Sequence, residues 1–278
     1  MKKHLNLIAL PITVVIAFTS LTGCTRTSST SKTGSSYITD RETLFQVALL
    51  QSLTFGDYYG SITASELKKN GDIGLGTFDA LDGEMIVLDG VVYKAKGDGS
   101  VQIVPDSEKI PFSNVTFFDT DEKIDLKNIT DIAGLKAILN EMVRKNGENY
   151  FCIARIDGKF SKMNVRSEYS QKEPYKPLAK VLETDQTFFD FEDISGTVVA
   201  LYCPPYMNSL NAPGWHLHFI SSDRKKGGHI LNLAVSDAEL SLDYTKGFKM
   251  VLPDDKMFSA FDLTIDQTED IKKVETNE

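Results

Sequence analysis

Apart from His4, every histidine of the chain falls in two short motifs, Trp215-His216-Leu217-His218-Phe219 and Gly227-Gly228-His229. On a β-strand, residues i and i+2 point to one face about 7 Å apart, so His216 and His218 can converge on one ion while Leu217 and Phe219 face away. His229 follows His218 by 11 positions, past a Ser-Ser-Asp-Arg-Lys-Lys-Gly-Gly run that has the composition of a hairpin loop. Pairing of 218 with 229 would bring the third imidazole to the same face, whereas a one-residue slip would send it to the other. Three neutral nitrogen donors suit Zn²⁺, and would also accept manganese, iron or nickel. They leave a coordination position open for water or substrate, which is the arrangement of a catalytic rather than a structural site.

Around these histidines the sequence resembles the alpha-acetolactate decarboxylase family. Gly214-Trp215-His216-Leu217-His218-Phe219, Gly227-Gly228-His229 and the stretch Gly76-Thr77-Phe78-Asp79-Ala80-Leu81-Asp82-Gly83-Glu84 carry the resemblance, which runs from about residue 40 to about residue 262. It implies a two-domain α/β fold, a zinc ion on the three histidines, a homodimer, and conversion of 2-acetolactate to acetoin and carbon dioxide in acetoin and butanediol metabolism. The chemistry is consistent with such a site. Loss of carbon dioxide from a 2-hydroxy-3-oxo acid leaves an electron pair that the neighbouring ketone can accept as an enediolate, and a metal would stabilise that charge. No thiamine or pyridoxal phosphate signature offers another electron sink, and no lysine stands out as a Schiff-base former.

The resemblance also assigns helpers. Glu84 matches the family glutamate that approaches the metal, where a carboxylate could ligate the ion or relay protons. Thr77 matches a motif position from which it could hydrogen-bond the substrate. Arg166, in Asn164-Val165-Arg166-Ser167, matches the family arginine near the substrate, with Arg155 as the rival; its planar fork suits a carboxylate. The family brings a tail glutamate to the metal, and Glu275 is favoured over Glu269 for that part.

These side chains need elements to hold them. Thr39 and Glu42 have capping-box spacing ahead of Leu44, Phe45, Ala48 and Leu49, which predicts a first helix; Thr63 and Glu66 predict a second, ending at Gly71. Strands at 85–88 and 91–95 flank an Asp89-Gly90 hairpin turn, and 101–104 follows as a third. Ile132, Leu135, Ile138, Leu139 and Met142 lie on one side of a helix over 131–145 that stops before Gly147. Beyond it the chain reads as strands at 150–156, 160–166, 197–203, 215–220, 229–235 and 248–252, with a turn at Asp157-Gly158 and one short helix near 177–182. Alternation would put Phe160, Lys162, Asn164 and Arg166 on one strand face.

The resulting expectation is an α/β (α+β) protein of two closely packed domains with mixed and antiparallel sheets, the metal site lying on a β-hairpin of the C-terminal one. The divisions are a lipoprotein signal peptide at 1–23, a Ser/Thr-rich tether at 24–37, domains at 38–147 and 148–262, and a tail at 263–278. Lys2 and Lys3 precede an apolar run from Leu5 to Phe18, and Leu21-Thr22-Gly23-Cys24 resembles a bacterial lipobox. Export and anchoring to the extracytoplasmic membrane face through lipid on Cys24 are therefore expected. Cys152 and Cys203 sit in apolar strand runs without CxxC spacing and read as buried thiols, although export would permit their pairing.

The 278 residues carry a net charge of −9, and two units more once Lys2 and Lys3 leave with the signal. Nucleic acid is excluded as a partner, because phosphate binding needs the opposite balance, and Arg224-Lys225-Lys226 is a short loop tip. Two other functional classes compete with a decarboxylase. A cupin-like metalloenzyme acting on another hydroxy-keto acid would explain the HxH but not the Gly76–Glu84 stretch. A non-catalytic metal-binding surface lipoprotein would be expected to close its coordination shell.

Overall fold

The structure, a computed structural model, describes residues 40–276. The segments expected to be a signal peptide and a tether, with Cys24, and also Thr39, lie outside them. In chain order the strands are β1 (Thr43–Val47), β2 (Ile62–Thr63), β3 (Ile73–Thr77), β4 (Glu84–Leu88), β5 (Val91–Ala95), β6 (Val101–Ile103), β7 (Lys109–Ile110), β8 (Ser113–Thr116), β9 (Glu122–Ile129), β10 (Phe151–Glu168), β11 (Gln186–Cys203), β12 (Gly214–Ser221), β13 (Gly227–Thr245) and β14 (Gly247–Val251). The α-helices are α1 (Leu50–Thr54), α2 (Ala64–Leu67), α3 (Ile132–Asn146), α4 (Leu178–Thr184), α5 (Lys256–Ala260) and α6 (Thr268–Thr276).

Seven strands form one sheet in the order β14-β1-β8-β3-β4-β5-β6, antiparallel except where β14 lies parallel to β1. A second sheet runs β10-β11-β12-β13-β9, and β10 also pairs with β13, so four of its strands close into a ring. The short β2 and β7 pair separately. This is a mixed α+β architecture, as the sequence implied. Sheet membership crosses residue 147 in both directions: β9 pairs with β13 in the second sheet, and β14 returns to the first. A change of element type along the chain marks one boundary, while pairing across long separations decides which sheet a strand joins.

Two cores follow from strand alternation. Cys152, Ala154 and Ile156 of β10 point into a core inside the second sheet, together with Leu217 and Phe219 of β12. Phe151 and Ile153 point the other way, against Leu44, Leu75 and Ile86 of the first sheet. Cys152 and Cys203 fall in different cores and so lie on opposite faces of the sheet.

Several sequence expectations hold locally. α2 begins with the full Thr63–Glu66 capping box, α3 runs within one residue of the expected bounds and stops before Gly147, and the hairpin pairs Leu88 with Val91 across Asp89-Gly90. Two do not. The predicted first helix is strand β1: Leu44, Gln46 and Val47 are completely buried, so both faces of the segment are covered and sheet pairing overrides the helical spacing. There is also no turn at Asp157-Gly158, because β10 runs unbroken through it. Gly158 is there for close approach, since a Cβ would stand 2.3 Å from the Ala238 Cβ on β13.

Candidate metal centre

β12 presents His216, His218 and Ile220 on the side that faces the first sheet, with Leu217 and Phe219 turned to the inner core. His218 pairs directly with His229 of β13, which is the register that places the third imidazole with the other two. His229 in turn pairs with Arg166 of β10. Gly228 makes this crossing possible: its φ of +148° is unsuited to a side chain, and a Cβ would lie 2.5 Å from the Arg166 carbonyl oxygen.

Bulges aim the remaining side chains. Inward-facing residues of β10 are even-numbered up to Phe160 and odd-numbered at Met163 and Val165, and the register against β13 shifts on both sides of Phe160. This reverses the alternation expected from the sequence, so Phe160 enters the inner core while Arg166 faces the histidines. A further shift between Asn164 and Val165 does the same for His229, because Leu233 and Ile230 both point inward. Bulges beside functional sites commonly redirect side chains in this way.

The three imidazoles are buried, and their facing nitrogens all lie within 4.8 Å of one another. His216 Nε2 is 3.0 Å from His218 Nε2 and 3.0 Å from His229 Nδ1. Nitrogens bound at 2.0–2.1 Å in a tetrahedral shell would be roughly 3.3 Å apart, so the donor set fits a divalent metal with little movement. His218 Nδ1 lies 2.7 Å from the Met85 carbonyl oxygen on β4. Donation of an Nδ1 proton to that oxygen turns the Nε2 lone pair toward the centre, the usual support for a ligating histidine. Burial, then the nearby Arg166 and Lys136, lowers His216 to about 3, and burial lowers His218 well below the ordinary value. Neutral rings with available lone pairs result.

Glu84, at the start of β4, holds Oε2 3.3 Å from His218 Nε2. Thr77 pairs with Glu84 across β3 and β4, and its hydroxyl donates to the Gly83 carbonyl at 2.8 Å, which leaves it able to accept from a ligand. Thr77, Glu84, Arg166, His216 and His229 line one cavity of about 40 Å³ whose other walls include Leu50, Leu53 and Phe112. Arg166 is 2% exposed, and its Nη2 donates to the main-chain carbonyl of Val274 on α6 at 2.5 Å. Arg155 lies elsewhere, paired at 2.6 Å with both Asp157 and the hairpin residue Asp89.

Val274 also lines the cavity, so the tail reaches the site through α6. The side chain of Glu275 lies outside the described residues, and Glu269 is exposed on α6. The sequence reading missed Glu168, two positions beyond Arg166 on β10, which is 3% exposed and lines the same cavity. Its i, i+2 spacing from Arg166 was a usable sign.

Fold and site together define a protein with a buried three-histidine cluster that could bind a metal, beside a cavity lined by an arginine and carboxylates. The family model described as alpha-acetolactate decarboxylase matches residues 44–265, and the chain belongs to that family, whose members are carboxy-lyases. An alpha-acetolactate decarboxylase of Methanosarcina mazei is 39% identical over 234 residues, covering 84% of this chain and 80% of its own. One from Bacillus subtilis strain 168 is 35% identical, covering 84% of this chain and 90% of its own. The crystal structure of alpha-acetolactate decarboxylase from that strain superimposes with a TM-score of 0.81 at 32% identity, over 84% of this chain and 99% of the other. A match spanning both the Gly76–Glu84 stretch and the histidine motifs sets aside the cupin-like and non-catalytic readings.

Proposed function

We propose that this protein decarboxylates 2-acetolactate to acetoin and carbon dioxide, using a zinc ion held by His216, His218 and His229. The observation that carries the reading is the convergence of the three ring nitrogens, two of whose rings, His216 and His229, line one cavity with Arg166 and Glu84. A bound divalent metal supplies positive charge that draws the electron pair left by carbon dioxide toward the neighbouring ketone oxygen.

The chain's own residues do the rest. Arg166, buried and held by the Val274 carbonyl, binds and orients the substrate carboxylate. Leu50, Leu53 and Phe112 exclude water, which strengthens every charge interaction inside. Conversion of the acetolactate anion to neutral acetoin and carbon dioxide consumes one proton, and Glu84 is placed to hold and deliver it. Thr77 accepts a substrate hydrogen bond, and Glu275 is the tail carboxylate that the family resemblance assigns to the metal.

Export, lipid attachment at Cys24 and a homodimeric state complete the proposal, the first two resting on Leu21-Thr22-Gly23-Cys24 and the apolar run before it. The deciding experiment is an acetoin assay on purified protein with metal analysis in parallel. Acetoin formation that is lost on chelation and restored by zinc is the expected result, and full activity without metal would overturn it.

A further inference from the structure

β10 sends two side chains of opposite charge into the cavity, Arg166 and Glu168, which are 2% and 3% exposed. Their ion pair is loose, with Nη1 and Oε1 3.9 Å apart. Arg166 Nε and Glu168 Oε2 have no hydrogen-bond partner among the described residues. Buried polar atoms are nearly always satisfied, because an unmet charged group in a dry interior is costly. Neither residue is loosely held: Gly97 N–H donates to the Glu168 carbonyl at 3.0 Å, and Val274 fixes the Arg166 guanidinium. One spare donor beside one spare acceptor complements a ligand with a carboxylate next to a hydroxyl.

We propose that Glu168 is the hydroxyl acceptor of this site, taking a hydrogen bond from the C2 hydroxyl of the substrate while Arg166 binds the adjoining carboxylate. The assignment rests on the decarboxylase reading and deepens it by making Glu168 the residue that selects 2-hydroxy acids. A site built to bond a hydroxyl rejects the analogue lacking it, since the buried acceptor is then left unmet. Bonds to a charged group are worth about 10- to 100-fold in affinity.

The test is calorimetric titration of the zinc-loaded protein with 2-hydroxy-2-methylbutanoate and 2-methylbutanoate, which share a carboxylate and lack the ketone needed for reaction. The wild type should prefer the hydroxy acid, and should bind its 2-methoxy analogue, which cannot donate, at least about tenfold more weakly. That preference over 2-methylbutanoate should fall by about tenfold or more in Glu168→Leu, and by about threefold in Glu168→Gln, which keeps a neutral acceptor. Metal content and thermal melting establish that each variant is folded, and either one suffices. If both ligands weaken equally, so that their ratio is unchanged, Glu168 only positions Arg166 and the proposal is overturned. Failure of the wild type to discriminate overturns it as well. Acetoin formation by the wild type is scored separately, so that its absence removes the decarboxylase reading without altering the binding ratio.

Discussion

Arg166 donates from Nη2 to the main-chain carbonyl of Val274 at 2.5 Å, so α6 is fastened to the side chain that faces the histidines. Ile271 and Val274, both buried, hold the helix against Leu50, Leu178 and Val181. Each contributes on the order of 1.5–3 kcal/mol through burial. A chain ending at Gln267 is expected to keep its metal and fold, melt several degrees lower, and lose at least about tenfold in kcat/KM as Arg166 loses its anchor and water enters the cavity. Steady-state kinetics and a thermal melt would check this, and unchanged kinetics would reduce α6 to a cover.

The histidine cluster and Arg166 adjoin one cavity but should separate in their effects. His218→Ala removes a ring whose Nδ1 is fixed by the Met85 carbonyl, and is expected to abolish metal retention. Arg166→Ala should leave one metal per chain and lower turnover by about 100-fold or more. Metal analysis of both variants after dialysis decides it, and an undiminished metal content in His218→Ala would sink the ligand assignment.

How far the sequence reveals this site depends on the range of the interaction. The HxH spacing and the loop before His229 left two registers open, and the structure takes the one that pairs His218 with His229. The Asp89-Gly90 hairpin and the Thr63–Glu66 capping box were readable, because turn and cap chemistry is local. By contrast, Thr43–Val47 carries helical spacing yet is buried on both faces between strands more than sixty residues away in sequence. Alternation put Phe160 and Arg166 on one face, and the bulges near Phe160 that part them are fixed by the partner strand. Gly158 looked like a turn for a related reason: the demand for a missing side chain comes from Ala238, eighty positions later.

Glu84 offers a different separation. Its Oε2 stands 3.3 Å from His218 Nε2, beside the three-nitrogen set yet outside it. Glu84→Gln keeps the shape and removes the ionisable group, so metal should be retained while turnover falls by roughly 100-fold. Comparing kcat with metal stoichiometry tests this; loss of both together would make Glu84 a ligand rather than a proton carrier.

Stability should respond to pH through a group far from the catalytic face. Asp243, 1% exposed, is pushed up to about 7 by burial and by Asp121, Glu42 and Asp119, even though Asp119 N–H donates to it. The folded state therefore binds this proton more tightly than the unfolded state, whose carboxyl titrates near 3.8. No penalty exists below the unfolded value, and stability is lost as pH rises from there through about 7, by no more than about 4 kcal/mol. Asp243→Asn keeps an acceptor for Asp119 and removes the charge. Its melting temperature should exceed the wild type's at pH 8 and converge with it near pH 4, and parallel curves would refute the assignment.

Anchoring can be tested independently of catalysis. Cys24 follows an apolar stretch too short to span a bilayer comfortably, and among the described residues no helix is long and apolar enough to cross one. Membrane attachment would then depend on the thiol's lipid, whose chains add about 0.8 kcal/mol per buried CH₂, so two or more acyl chains hold a protein stably where one does not. In Triton X-114 partitioning of cells expressing the full chain, the wild type should enter the detergent phase and Cys24→Ser should move to the aqueous phase, with acetoin-forming activity following the protein. Equal partitioning of the two would remove the lipid anchor and leave export to rest on the signal segment alone.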